Sequence, residues 1–186
     1  MIPKNLEYDK RRSKAVLFFS ASSIEDARTL RRFGLKEILV SYYYLRKALR
    51  SFEELMKEVY EQDGIFMTDS GAFSFMGQFH EGHPEYEKLS TEEFWLPYLE
   101  EYVAWLRKHK EYIFVAANLD LDVVVGEEIV RKWNKKYFEP LEAEGLQIVY
   151  VSHRARGDNK LTNFEYYCKR YKYVGVNQLE KENAHK

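Results

Sequence analysis

An aspartate followed by a small, flexible turn stands at the end of an apolar segment. Asp69 comes directly after the apolar run 65–67 and Thr68, and Ser70 and Gly71 follow it. A carboxylate held at the end of a buried strand costs free energy unless it is paired. A glycine in the turn lets backbone N–H groups come close to a ligand. The pattern therefore predicts a catalytic or binding position at Asp69.

A second acidic position has the same context later in the chain. Asp120 and Asp122 follow the apolar run 112–117, and on a strand two residues so spaced face the same way. Two carboxylates on neighbouring strands can share or pass a proton, or bind the N–H edge of a nucleobase. Only one of the pair needs to be functional, and Asp122 could instead cap the next helix or meet a surface lysine. His153 follows a further apolar run and could be a general base, a ring-stacking contact or a structural residue.

These candidates need a scaffold, and the chain alternates strand and helix patterns. Six short apolar runs predict strands at 15–20, 37–43, 64–69, 112–120, 146–153 and 172–177. Helical patterns occupy 22–34, 46–62, 90–109 and 127–144, with a break near Pro140, and a further helix begins at Thr162. The order predicts an α/β domain with a parallel sheet.

Two architectures fit this alternation: an incomplete (β/α) TIM-type barrel with about six parallel strands, and an open doubly wound sheet. In both, ligands meet the carboxyl ends of the strands. Residues 1–14 form a polar N-terminal arm, and residues 15–186 form one barrel-like domain. Strand-end residues such as Asp69 and Asp120 would then converge on one rim.

Composition excludes several classes of protein. The net charge is −1, and the single Cys168 allows neither an internal disulfide nor a multi-cysteine zinc site, so no metal is expected. No Walker loop or GxGxxG motif is present, and no nucleotide cofactor is expected. The sequence lacks a membrane-length apolar stretch and an apolar signal core, which predicts no membrane contact and a cytoplasmic location. A locally basic segment could hold phosphates or form a solvated face; its residues are Arg154, Arg156, Lys160, Lys169, Arg170 and Lys172.

Four short motifs carry a resemblance to a known family. They are Asp69-Ser70-Gly71-Ala72-Phe73-Ser74, Asn118-Leu119-Asp120, the run 145–153 ending in His153, and Tyr173-Val174-Gly175-Val176. The first resembles the Asp-Ser-Gly-Gly-Phe-Gln signature of tRNA-guanine transglycosylases. It is closer to the Asp-Ser-Gly-Ala-Phe-Ser form of their DpdA-like phage and bacterial relatives, which are tied to 7-deazaguanine DNA modification.

The resemblance implies a TIM barrel that exchanges guanine or 7-deazaguanine at a glycosidic bond in DNA or tRNA. In the family an aspartate on a later strand attacks the ribose carbon, so that one hard displacement becomes two easier steps. Asp69 would act as acid/base or position the substrate, and Asp120 would bind the incoming base. The remaining substrate-binding positions would be Ser70, Gly71, Ala72, Phe73, Asn118, His153 and Gly175.

The sequence departs from the family in ways that bear on activity. Ala72 and Ser74 replace Gly and Gln of the transglycosylase signature. The family's nucleophile and Cys/His zinc site follow the sixth strand, whereas only about nine residues follow that strand here. Either a homo-oligomer or a complementing chain supplies the missing strands, or the protein is a non-catalytic base-binding or assembly protein that kept the scaffold.

Overall fold

Six parallel strands form a single sheet at the centre of the fold. The computed structural model describes residues 16–79, 82–154 and 162–178. The strands are β1 (Phe19–Ala21), β2 (Glu37–Ser41), β3 (Ile65–Asp69), β4 (Val115–Ala117), β5 (Ile148–Arg154) and β6 (Tyr173–Gln178). They pair in chain order, and every pair is parallel. The predicted α/β class and the six parallel strands are confirmed.

Helices connect each strand to the next. The α-helices are α1 (Ile24–Arg32), α2 (Tyr42–Leu45), α3 (Leu49–Glu61), α4 (Ala72–Met76), α5 (Glu92–His109), α6 (Asp122–Val125), α7 (Glu127–Trp133), α8 (Glu139–Ala143) and α9 (Thr162–Arg170). A 3-10 turn spans Tyr86–Ser90, and a π-helical turn, Asn134–Phe138, joins α7 to α8. This π-helical turn lies just before Pro140, because a proline lacks the N–H that a regular α-helix needs there.

Strand order decides how the helices are arranged. A doubly wound sheet reverses its order at a switch point, and the six strands show no reversal, so that alternative is wrong. Parallel crossovers are almost always right-handed, so sequential order places the helices on one face of the sheet. Burial agrees, because Ile38, Phe66, Ala116 and Ile148 point to one face and are fully buried.

The opposite face of the sheet is less completely covered. Leu39 and Met67 are register partners on it, and Val149 and Val151 lie on it further along. All four are partly exposed although they are apolar. Asp69 belongs to the same face, because it follows Met67 by two residues. The candidate site therefore lies at the end of the open face.

Several predicted boundaries are wrong. The strand predicted at 112–120 is reduced to the three residues of β4, and the strand predicted at 37–43 ends where α2 begins at Tyr42. The strand predicted at 15–20 is shifted to β1. The polar arm 1–14 and the basic residues Arg156 and Lys160 lie outside the described residues. Among the described helices, none has the length and apolar character to cross a bilayer.

Candidate active site

Asp69 ends β3, and its carboxylate is held by the turn that follows. The Gly71 N–H donates to Asp69 Oδ1 at 2.8 Å, which closes a turn that Gly71 permits with a φ of 66°. Ser41 is the register partner of Asp69 on β2. Its Oγ is buried and has no partner in hydrogen-bond geometry. The Ser41 hydroxyl is nevertheless close enough to the Asp69 carboxyl to stabilise its charged form.

Burial sets the protonation behaviour of Asp69. Loss of water raises the pKa of the Asp69 carboxyl above its ordinary value, while the nearby Ser41 hydroxyl and the Gly71 N–H offset part of this rise. A carboxyl with a raised pKa is a better proton donor near neutral pH than an exposed one. Asp69 therefore has the electrostatic character of an acid/base group.

Asp120 lies next to the Asp69 turn. The Ser70 hydroxyl donates to Asp120 Oδ1 at 3.1 Å, so the residue after Asp69 bonds directly to the second carboxylate. The pKa of Asp120 is raised to about 6, mainly by burial and to a smaller extent by the charge of Asp69. His153, Ser70 and the backbone N–H of Asp120 act in the opposite direction. The prediction that the two aspartates meet at neighbouring strand ends is borne out by this contact.

His153 lies between two carboxylates. Its Nδ1 is 2.5 Å from Asp122 Oδ1, and its Nε2 is 3.4 Å from Asp120 Oδ2. The His153 backbone N–H also donates to Asp122 Oδ2 at 3.3 Å. Burial lowers the pKa of His153, but the hydrogen bond to Asp122 and the charges of Asp122 and Asp120 outweigh it, so the pKa is raised. The imidazole is oriented by one carboxylate and faces the other.

Two tyrosines on α5 hold the turns that carry the aspartates. Tyr98 OH donates to the Ser70 carbonyl at 2.6 Å, and Tyr102 OH donates to the Ala117 carbonyl at 2.9 Å. They are four residues apart, so they lie on one side of the helix. Burial raises the pKa of both phenols, so both remain protonated donors. The helix thereby fixes the Asp69 turn and the end of β4 relative to each other.

Asn118 is enclosed by the protein. Its Oδ1 accepts from the Val151 N–H at 3.0 Å, and its Nδ2 donates to Asn134 Oδ1 at 3.0 Å. The residue is fully buried, and so is Asn134 in the π-helical turn. These contacts tie β4 to β5 and to the helical layer. The geometry gives Asn118 a scaffolding task at the rim.

The other predicted substrate-binding residues are divided between the rim and the sheet. Phe73 reaches the rim, where its ring meets the His153 imidazole edge-on with centroids 5.3 Å apart. Ala72 is buried in α4, and its N–H points to Ser70 Oγ at 3.4 Å. Gly175 is paired with Val151 within the sheet, two residues before the level of His153. Gly175 is thus not brought to the strand-end cluster.

The sequence did not indicate what two residues of the site, Asp122 and Ser41, contact in the structure. The sequence left Asp122 as a helix cap or a partner for a surface lysine, but its partner is His153, and only 4% of its side chain is exposed. Ser41 was predicted only as part of the strand at 37–43. A periodicity-based prediction of adjacent strands would have placed Ser41 beside Asp69, whereas no local signal pairs Asp122 with a residue 31 positions later.

The donor set does not form a metal centre in the part of the chain that is described. No group of three or more His, Cys, Asp or Glu residues there is arranged to hold a metal ion. Asp120, His153 and Asp122 contact one another in that order, and Ser70, which follows Asp69, contacts Asp120. Comparisons with protein-family models, curated proteins and solved structures found no match to this chain.

Proposed function

We propose that this chain is an incomplete (β/α) barrel of the transglycosylase type that binds a guanine or 7-deazaguanine base of a nucleic acid at the strand-end site. In this proposal Asp120 recognises the base and Asp69 transfers a proton during base exchange at the glycosidic bond. The observation that supports it most directly is the hydrogen bond from the Ser70 hydroxyl to Asp120, because it joins the residue after Asp69 to the second carboxylate.

The chemistry of Asp120 suits the edge of a guanine-type base. A carboxylate can accept two hydrogen bonds from the N1–H and N2–H groups, and charge-assisted bonds of this kind are strong. Ser70 and His153 approach one oxygen each, the backbone N–H of Asp120 also approaches the carboxyl, and 14% of the side chain is exposed to a ligand. The ring of Phe73 is partly exposed beside His153 and offers an apolar surface to a planar base.

Asp69 suits a different task. Its pKa is raised by burial, and only Oδ1 is held by the turn. The buried Ser41 hydroxyl lies beside it and stabilises its charged form. An acid placed within reach of the departing base can protonate it as the glycosidic bond breaks.

A complementing chain or a second copy belongs to the proposal. The family reaction needs a nucleophilic aspartate on a later strand, and the strand-end carboxylates among the described residues are Asp69, Asp120 and Asp122. Each outer strand, β1 and β6, has one neighbour within the described sheet. Open parallel edges favour pairing with further strands. Light scattering that found a stable monomer, alone and with nucleic acid, would contradict this part.

Titration calorimetry with guanine, preQ0 and preQ1 tests base recognition. Asp120→Asn should weaken binding about 10- to 150-fold, since losing charge-assisted bonds costs about 1.5–3 kcal/mol. Asp69→Asn should reduce base exchange more than it reduces binding. Glu54→Gln is the matched control, because this exposed carboxylate only faces Arg50 one helical turn away. If none of the three bases binds at millimolar concentration, base recognition is wrong.

The second candidate is a non-catalytic protein that binds a base or serves as an assembly scaffold. The absence of a further strand-end carboxylate in the described sheet favours it. Base binding without any exchange of labelled guanine, even with added partner, would support this candidate over the enzyme.

A further inference from the structure

The imidazole of His153 is buried completely and is contacted from both ring nitrogens. Its side chain has no exposed surface, and 14% of the Asp120 side chain is exposed. Asp122 approaches Nδ1 and the backbone N–H of the same residue with its two oxygens. This double contact fixes both the position and the rotation of the ring.

The contact with Asp122 also determines which nitrogen carries a proton. A carboxylate accepts hydrogen bonds, so the short contact requires a proton on Nδ1. Nε2 is then the nitrogen that gains or loses a proton, and it faces Asp120 Oδ2 at 3.4 Å. Catalytic contacts of this length in ligand-free proteins commonly shorten when a ligand binds. The ring of Phe73 packs against the imidazole, with the two centroids 5.3 Å apart.

We propose that Asp122 is a positioning residue and that His153 Nε2 exchanges a proton with Asp120, so that ligand binding at this site is coupled to that proton. The step moves one proton: imidazolium and carboxylate become neutral imidazole and carboxylic acid, and the reverse step restores them. The ligand's identity as a base with two N–H donors rests on the proposed function, whereas the proton exchange does not.

The direction of the coupling follows from the ligand's chemistry. A base that donates two hydrogen bonds needs Asp120 as a carboxylate, so binding keeps the proton on His153. Below about pH 6, where the Asp120 carboxyl is protonated, binding must release a proton and becomes weaker. A site that only recognised the base with a permanently ionised aspartate would show no such dependence.

The described side chains that act most on the pair are acidic or uncharged. Asp69 and Ser70 face Asp120, and Asp122 and Phe73 face His153. The tyrosines that sense these charges are neutral at physiological pH, because burial raises their pKa values; they are Tyr102 and Tyr167. Among these described residues, protonated His153 is the cation that lies beside Asp120 and Asp122.

NMR titration of the full chain without ligand tests the proton exchange. In Asp122→Asn the affinity of His153 for its proton should fall about tenfold or more, because an adjacent charge is removed. The fraction of neutral ring protonated on Nδ1 should also fall. His109 provides an internal control: it is buried beside Glu53 on α3, and its titration should not change. An unchanged His153 titration and an unchanged tautomer in this variant would overturn the proposal.

Two further measurements separate positioning from simple stabilisation. Asp122→Glu should restore proton affinity at least in part, since it returns a carboxylate to Nδ1. If Asp122→Asn fails to fold, Asp120→Asn takes its place: it should shift the His153 titration, and an unshifted curve would refute the exchange. The pH dependence of base binding should show the loss of affinity below about pH 6 in the unmodified chain.

The outcomes distinguish this inference from the proposed function. If His153 responds to both carboxylates and no base binds, the base-binding function is wrong and the proton pair stands. If a base binds with an affinity that does not change between pH 5 and pH 8, the coupling is wrong and base recognition stands.

Discussion

Replacing Gly71 with alanine should destabilise the protein more than replacing a glycine that has free space around it. The φ of Gly71 is 66°, in the region that alanine adopts at a cost of about 1–2 kcal/mol. An alanine Cβ at this position would lie 2.3 Å from Ser41 Oγ, 2.6 Å from Tyr43 Cβ and 2.7 Å from the Tyr43 backbone nitrogen. The backbone must therefore move to relieve the clash. Overpacking of this kind costs about a further 1–3 kcal/mol.

Gly34 supplies the matched control for this substitution. Its φ is 80°, but an added Cβ would meet no atom within 4 Å. Gly34→Ala therefore carries the backbone cost without the clash, and both variants lose the same glycine freedom in the unfolded chain. We expect the free energy of unfolding to fall by about 1–2 kcal/mol for Gly34→Ala and by about 2–5 kcal/mol for Gly71→Ala.

Urea denaturation followed by circular dichroism measures both values. The proposed base binding should be lost in Gly71→Ala and kept in Gly34→Ala. The Gly71 N–H holds Asp69, and the clash would displace Ser41 and Tyr43 beside this turn. Equal losses of stability in the two variants would show that the turn relaxes without strain. The close approach of Gly71 to β2 would then not be a constraint on the site.

Two other predictions concern Tyr98, which holds the turn after Asp69, and the buried carboxyl of Asp120. Tyr98→Phe should cost about 1–3 kcal/mol, because the buried Ser70 carbonyl loses its donor, while Tyr86→Phe at an exposed position should change little in the same urea assay. The pKa of Asp120 rises from 3.8 to about 6 on folding, so its contribution to stability is present below pH 4 and is lost as the pH rises through 6. At about 1.36 kcal/mol for each pKa unit, the free energy of unfolding falls by about 3 kcal/mol over this range. The stability of Asp120→Asn should depend less on pH. Parallel stability curves of the variant and the unmodified chain from pH 4 to pH 8 would contradict this.

The longer strands and helices were predictable, because each has enough residues to show a clear apolar pattern. Strands β2, β3, β5 and β6 and helices α1, α3 and α5 lie where the sequence pattern places them. The one-turn helices α2, α4 and α6 were not predicted. A helix of four or five residues has little stability of its own and is held by its surroundings. Helix α2 begins directly after β2, whereas α4 and α6 begin a few residues after the ends of β3 and β4. The strands predicted at 37–43 and 112–120 were too long, because their sequence patterns run past the ends of β2 and β4.

The sequence indicated which residues form the candidate site, but not which of them contact one another. Asp69 and Asp120 follow apolar runs, and a parallel sheet brings such positions to one edge. The contact of Asp122 with His153 spans 31 positions and depends on how α6 turns back over β5. Asn118 had the same apparent status as Asp120, yet both ends of its amide are used inside the protein. Only the packing of the π-helical turn distinguishes the two roles.

The open face of the sheet and the candidate site are parts of one surface. Ser41 and Asp69 follow Leu39 and Met67 along the same face of β2 and β3, and His153 follows Val151 in the same way on β5. Whatever covers the apolar residues must also reduce the access of water to the carboxylates above them. Lower water access strengthens the interaction of Asp120 with a charged or polar ligand. Completion of the sheet by further strands, as the proposed function requires, would therefore raise the affinity of the site together with the stability of the fold.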